Sequence, residues 1–348
     1  MPLALSLGTL LTPWSATISA AFAGQCWLSG DDDELGEARN EKQTRMTTEP
    51  AQQRFAALER QPFESTASSG TLRGALISLR EIVRHREMLG LLVRRDIRSR
   101  YKDSALGLVW SLVRPLVQLL IYYIVIGKFL GAERGIPEFA IYIFAGLTAY
   151  GLFAEIVSNG TSSILGNAGI VKKVWLPREV FPLATVGSAL FNFSMQLVIL
   201  VAATIAIGSF PWAVELSYAI PGLLVMVTWG LALALLLSAA NVYLRDIGYL
   251  VEVMMLLLMW ASPIVYSWQM VRDLIGPGLL LDVYTNNPIT LGVLAFQKAF
   301  WLAGAESGVD LPANLDIRLL IAIALGFIAV FLAQRVFARL QGNFAQEL

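Results

Sequence analysis

Apolar and polar positions are unevenly distributed along this chain. Six apolar stretches, at about 107–130, 138–158, 181–207, 214–240, 247–267 and 317–337, each approach the ~20 residues that a helix needs to cross a bilayer core. Ahead of them the pattern is helical but two-faced. Leu72, Leu76, Leu79 and Val83 share one face, and Leu89, Val93, Ile97 and Tyr101 share the next. Arg94, Arg95, Arg98 and Lys102 fall opposite. A basic amphipathic helix of this kind is suited to lie flat in the headgroup layer. Between the fifth and sixth stretches, "TLGVLAFQKAFWLAG" (290–304) is too short to cross and is expected to be re-entrant or interfacial. The pattern predicts an all-α integral membrane protein with six transmembrane helices over 105–340. An amphipathic interface helix at 71–104 precedes them and a tail at 341–348 follows.

Composition agrees with this reading. Of 348 residues, 56% are hydrophobic and 15% charged, whereas a soluble domain carries about 25% charged residues. The first 70 residues read as a disordered extension, with Met46 as a possible true start: the apolar run 1–30 has no basic flank, and 47–70 is rich in Ser, Thr and Gln. One cysteine, Cys26, excludes an internal disulfide framework, and one histidine, His85, excludes a His-based metal or acid–base centre in the membrane. Nucleic acid is not an expected partner, because the basic residues gather at membrane boundaries.

Charge sets the orientation. On the side of the N-terminus fall Arg94, Arg95, Arg98, Arg100, Lys102, Arg114, Lys172, Lys173, Arg178, Arg245, Arg335 and Arg339. Lys128, Arg134, Arg272, Lys298 and Arg318 fall on the other side. Twelve against five puts both termini in the cytoplasm.

No G-x-x-x-x-G-K-[ST] phosphate loop is present; the glycine at Gly127–Lys128 lacks both its upstream partner and the hydroxyl that would hold magnesium. Glu155 and Glu252 are the carboxylates well inside spans. Each either serves function or snorkels to the cytoplasmic edge. The loop "GNAGIVKKVWLPREVFP" (166–182) reads as a short helix presenting Lys172, Lys173, Trp175 and Arg178. A second loop carries Arg245 and Asp246. Compact loops with an aromatic and paired charges suit docking to another protein. On the first span Ser111, Arg114, Gln118 and Tyr122 form one polar stripe. Tyr142 and Tyr150 mark a similar stripe on the second, where they line a sugar path or belong to helix packing.

Three runs, "RSRYKDSALGLVWSLVRPLVQLLIYYIVIGKFLG", "GIVKKVWLPREVFPL" and "NVYLRDIGYLVEVMMLLLMWASPIVYS", resemble the permease subunits of ABC-2 type polysaccharide exporters, which carry O-antigen, teichoic acid, capsule or galactan. The resemblance covers about 75–340. It implies a homodimer in a bacterial plasma membrane, docked to two copies of a cytoplasmic ATPase that bind ATP and magnesium, with no cofactor and no catalytic or metal site in this chain. It further implies a coupling helix at 166–180, gate helices within 272–312, and an interface helix whose Arg94, Arg95, Arg98 and Arg100 meet a lipid-linked pyrophosphate or lipid headgroups. The expected cargo is a polyprenyl-pyrophosphate-linked glycan. A permease for a lipid, drug or peptide, or a membrane-embedded polyprenyl-phosphate glycosyltransferase, are the alternatives.

Overall fold

A computed structural model describes Arg84 and residues 86–348, apart from 102–108, 130, 132–134, 174–175, 211–213 and 307–309. Contacts divide the chain at Ser65/Thr66, and everything described here belongs to the second unit. Helix α1 (Arg86–Tyr101) has Glu87 in its first turn and Arg98 and Arg100 in its last, charges that complement the helix dipole. Helix α2 (Val109–Tyr122) contains Pro115 and opens into a π-helical segment, Tyr123–Phe129. Next comes α3 (Phe139–Gly166), then the single turn α4 (Ala168–Val171), and then α5 (Val180–Ile207). Gly208, at φ 83, closes α5 by donating its N–H to the Ile205 and Thr204 carbonyls. A 3-10 turn at Val214–Tyr218 leads into α6 (Ala219–Tyr243), followed by α7 (Ile247–Trp260).

Among the described residues four short helices lie between α7 and the last long one: α8 (Trp268–Ile275), α9 (Leu279–Thr285), α10 (Pro288–Phe300) and α11 (Leu302–Glu306). Local chemistry starts two of them. The Ser267 hydroxyl accepts from the Met270 N–H, and the Asn287 side chain accepts from the Ile289 N–H with Pro288 in the first turn. Helix α12 (Leu315–Leu340) is followed by a 3-10 turn and by α13 (Phe344–Glu347).

Among the described residues four helices are long and apolar enough to cross a membrane: Phe139–Gly166, Val180–Ile207, Val214–Tyr243 and Leu315–Asn343. The expected first and fifth spans are shorter, with apolar helices at Pro115–Phe129 and Ile247–Trp260. At about 1.5 Å per residue, α7 reaches only about 21 Å into a ~30 Å core. It stops because Pro263 lies just ahead and the Ser262 hydroxyl turns back to the Leu258 carbonyl at 2.8 Å. The segment that would have completed a span to 267 is instead a buried turn: Ser262 and Ile264 are fully inaccessible. The expected interface segment appears as α1. Its predicted earlier turns, with Leu72, Leu76, Leu79 and Val83, lie outside the described residues, as do Met46, Cys26 and His85.

Helix α3 is the inner member of the bundle. Of its most apolar stretch 72% is buried in the protomer, against 17% for α5 and 22% for α12, which turn apolar faces outward. Helices α5, α6, α7 and α10 all pack on it, and α12 packs on α6. Small residues permit the closest approaches. A Cβ built on Gly160 would stand 2.4 Å from Ala234 Cβ, and one on Gly326 would stand 2.4 Å from Thr228 Oγ1. In lipid such close packing is what holds helices together. Gly160→Val should therefore lower stability by about 1–3 kcal/mol, through overpacking against α6. Gly169→Ala, at a position with nothing within 4 Å, should change it by less than ~0.5 kcal/mol. Thermal unfolding of the detergent-solubilised variants checks both.

Candidate functional site

Three polar stripes converge at the end of the bundle that carries α1. On α1, Arg95, Asp96, Ser99 and Arg100 fall on one side. On α3, Glu155, Asn159, Ser162, Ser163 and Gly166 follow the helical repeat, and on α5 so do Thr185, Ser188 and Asn192. Between them is a crevice of about 400 Å³, lined by residues of all three helices and by Asn167.

Glu155, one turn before Asn159 on α3, bonds two of the residues that line the crevice, Arg100 and Asn159. One carboxylate oxygen, Oε1, accepts from Arg100 Nη1 at 2.5 Å, from Asn192 Nδ2 at 2.6 Å and from Asn159 Nδ2 at 3.4 Å. An unpaired carboxylate in a span costs roughly 2.5–3.5 kcal/mol on insertion scales, and these donors offset that cost. The snorkelling alternative for Glu155 is thus replaced by a fixed ion pair, while Glu252 lies on an exposed face of α7. A second clasp closes the other end of the crevice. Arg95 Nη2 donates to Asn167 Oδ1 at 2.7 Å and to Asp96 Oδ1 at 2.8 Å, while Asn167 Nδ2 caps the Ser163 carbonyl at 2.8 Å. Between the clasps α1 lies close on α5: a Cβ on Gly187 would meet Val93 Cγ2 at 2.7 Å.

The four arginines expected to act together do not share one surface. Arg95 and Arg100 line this crevice, whereas Arg94 and Arg98 line a separate groove with Leu89, Val93 and Ile97.

The two loops expected to dock a partner rest on a common base. Lys172 and Lys173 are exposed in the turn after α4, and Arg245 and Asp246 are exposed in the turn before α7; Trp175 lies outside the described residues. Arg178 stacks over the Phe344 ring at 5.6 Å, and Gln341 Nε2 donates to Glu179 Oε1 at 3.5 Å. Burial holds the Arg178 guanidinium below its ordinary pKa, with the Glu179 carboxylate pulling the other way. Tyr243, beside the second loop, donates to the Leu340 carbonyl at 2.7 Å and meets Phe344 edge-on. Residues 341–348, expected as a tail, are folded against both loops, and Phe344 is fully buried.

At the opposite end the predicted sugar-path tyrosines point into the protomer. Tyr142, 2% exposed, donates to the Tyr266 carbonyl at 2.8 Å and to the Pro263 carbonyl at 3.0 Å. Gln297 Nε2 donates to the same Pro263 carbonyl at 2.8 Å. The Tyr150 hydroxyl donates to the Met255 carbonyl, and Tyr122 reaches Met259 Sδ at 3.9 Å. Of the two readings held open for Tyr142 and Tyr150, these contacts are those of helix packing: both hydroxyls hold α7 and the turn after it. Gln118 is exposed on α2; Ser111 and Arg114 occupy α2, with side chains outside the described set. Beyond that turn, Arg272 bonds Asp310 at 2.6 Å and Asp273 at 3.0 Å, contacts that raise its pKa, and Arg318 donates to Asn286 at 2.6 Å.

The chain matches the ABC-2 type transporter family over residues 87–301. It belongs to that family. This ABC-2 chain is 30% identical over 224 residues to "O-antigen export system permease protein RfbA" of Myxococcus xanthus, covering 64% of this chain and 84% of that protein. It is 26% identical over 263 residues to a protein of the same name from Klebsiella pneumoniae, covering 75% of this chain and 95% of that one.

Reading residues alone missed the hydroxyl and amide wall of the crevice. Its signal was "SNGTSS" (158–163), an unusually polar run for a span. A double-mutant cycle with Arg100→Leu and Glu155→Leu in this ABC-2 chain should show a coupling on the order of 1 kcal/mol. Amide hydrogen exchange in α1 should rise in both single variants.

Proposed function

We propose that this chain is the membrane subunit of an ATP-driven exporter that moves a polyprenyl-pyrophosphate-linked polysaccharide out across the bacterial plasma membrane. The observation that carries this reading is the 30% identity to an O-antigen export permease, over 84% of that protein. Two copies of the chain pair in the membrane with both termini in the cytoplasm. A cytoplasmic ATPase dimer, which binds ATP and magnesium, docks under the loops at 166–180 and 244–246.

The physical case for coupling lies in how those loops are held. Lys172, Lys173, Arg245 and Asp246 offer exposed charges, and Arg178 and Glu179 root the first loop on Phe344 and Gln341. Displacement of the loop by the ATPase is therefore passed to α3 and α5, which it joins, and through Arg95 and Arg100 to α1. Those helices part to admit the lipid head and its glycan. Arg114 and Gln118 of α2 face the sugar, and the helices within 272–312, tied by Arg272 and Arg318, guard the exit. O-antigen-like glycan or galactan fits the expected cargo class equally.

Co-expression with a candidate ATPase should yield a co-purifying complex. Arg178→Glu should cut its glycan-stimulated ATP hydrolysis by roughly tenfold, a typical inter-site coupling. A cysteine at Lys172 should react with an impermeant maleimide only after the cells are opened; labelling of intact cells would reverse the proposed orientation. Depletion of the chain should strand lipid-linked glycan inside cells, and unchanged surface glycan would overturn the cargo assignment.

A further inference from the structure

One aromatic ring, that of Phe344, is shared by both loops that the exporter reading gives to the ATPase. From the first loop the Arg178 guanidinium lies over it at 5.6 Å, within the ~6 Å reach of a cation–π contact. Beside the second, the Tyr243 ring meets it edge-on, with centroids 6.1 Å apart and planes at 64°. Phe337 of α12 meets it edge-on as well, at 5.6 Å and 86°. Two hydrogen bonds accompany the ring. Gln341 reaches Glu179 in the first loop, and the Tyr243 hydroxyl donates to the Leu340 carbonyl. Val171 and Val180 of the first loop and Val242 ahead of the second belong to the same buried apolar cluster as Phe337 and Phe344.

The outward charges stand on this base. Lys172 and Lys173 are exposed in the first loop, and Arg245 and Asp246 in the second. Arg178 differs from them: it is half-buried and stacked on Phe344, so it holds the loop rather than facing a partner. The first loop joins α3 to α5 and the second joins α6 to α7. Packed groups change arrangement in steps rather than by gradual deformation, so elements that share a ring shift together. A loop that lost its share of the ring would yield by itself, and a push on it would reach two helices instead of four.

We propose that Phe344 is a positioning residue for energy coupling: it locks both docking loops to the end of α12 as one platform, so that a push on either loop displaces both. The proposal rests on the exporter reading above and deepens it, by naming the part that ties ATP hydrolysis to helix movement. Arg178 then acts through Phe344, and the loss expected of Arg178→Glu is a loss of the platform.

The test uses the full chain with Cys26→Ser, which removes its one cysteine. Spin labels at Lys172→Cys and Arg245→Cys, in chains diluted with unlabelled copies, report the distance between the loops in detergent. With Phe344 in place the distance should be single and narrow. Phe344→Leu keeps the site apolar but has no ring, and Tyr243→Leu, at a half-buried position, removes the second loop's share of the ring. Both should broaden the distribution, and either one serves if the other fails to fold. Tyr243→Phe keeps the ring and should stay narrow. In the complex with a co-purified ATPase, the two leucine variants, without labels, should keep ATPase affinity within about twofold and lose glycan-stimulated hydrolysis roughly fivefold, while Tyr243→Phe matches the wild type. That split separates positioning from docking and from simple loss of folded protein. A narrow distance in the leucine variants, a broad one in the wild type, or a broad one in Tyr243→Phe overturns the shared ring as the link. Broadened distances with full stimulated hydrolysis overturn its role in coupling and leave the exporter reading standing. If the wild-type chain captures no ATPase, the exporter reading falls and the coupling role with it, whatever the distances show.

Discussion

Helices in lipid gain nothing from hiding apolar surface from one another, so α3 has to be held by close packing and by hydrogen bonds between helices. Gly160 against Ala234 and Gly230 against Ile156 let α6 approach it closely, and Gly222 does the same for α6 against α10. The rest of the bundle inherits its positions from that axis. Because α3 is fixed, the run at one of its ends can be polar: Asn159 and Ser163 sit between α1 and α5, and Ser162 opens onto the crevice. Because α6 is fixed, α12 can lie outside it with most of its surface turned away from the protomer.

The same axis separates two kinds of polarity. At the α1 end, charges and amides cross between helices through Glu155 and Asn167, with short side-chain bonds that can be broken one at a time. At the other end, Tyr142 and Gln297 bind backbone carbonyls of the turn after α7. Backbone contacts of that sort fix a turn's shape without specifying its side chains. One end therefore joins helices through side chains, and the other holds a turn through its backbone.

The four long spans were legible because apolar runs of that length have one physical solution in a bilayer; their starts fell within two residues of the helices observed, while the expected ends at 158 and 337 fell short of Gly166 and Asn343, where polar residues extend the helices. The end of α7 was not. Residues 247–267 are mostly apolar, and Pro263 stops the helix early; its carbonyl is then held by side chains more than thirty positions away. Tyr142 and Tyr150 were legible as amphipathic rings, but only tertiary contact shows that their hydroxyls are spent inside the protomer. The basic stripe of α1 was legible as well, yet its division into two pairs depends on Asn167 and Glu155, which no spacing in α1 reveals. Glu155 and Glu252 were both legible as carboxylates within apolar stretches, but it takes tertiary contact to pair Glu155 with Arg100, Asn192 and Asn159.

Phe344 fixes an order of events during synthesis. The loop at 178–179 leaves the ribosome long before the residues it leans on: Gln341 follows Glu179 by 162 positions. Until residues 341–344 have been made, that loop has no floor, so its folded shape is among the last parts of the membrane unit to be completed.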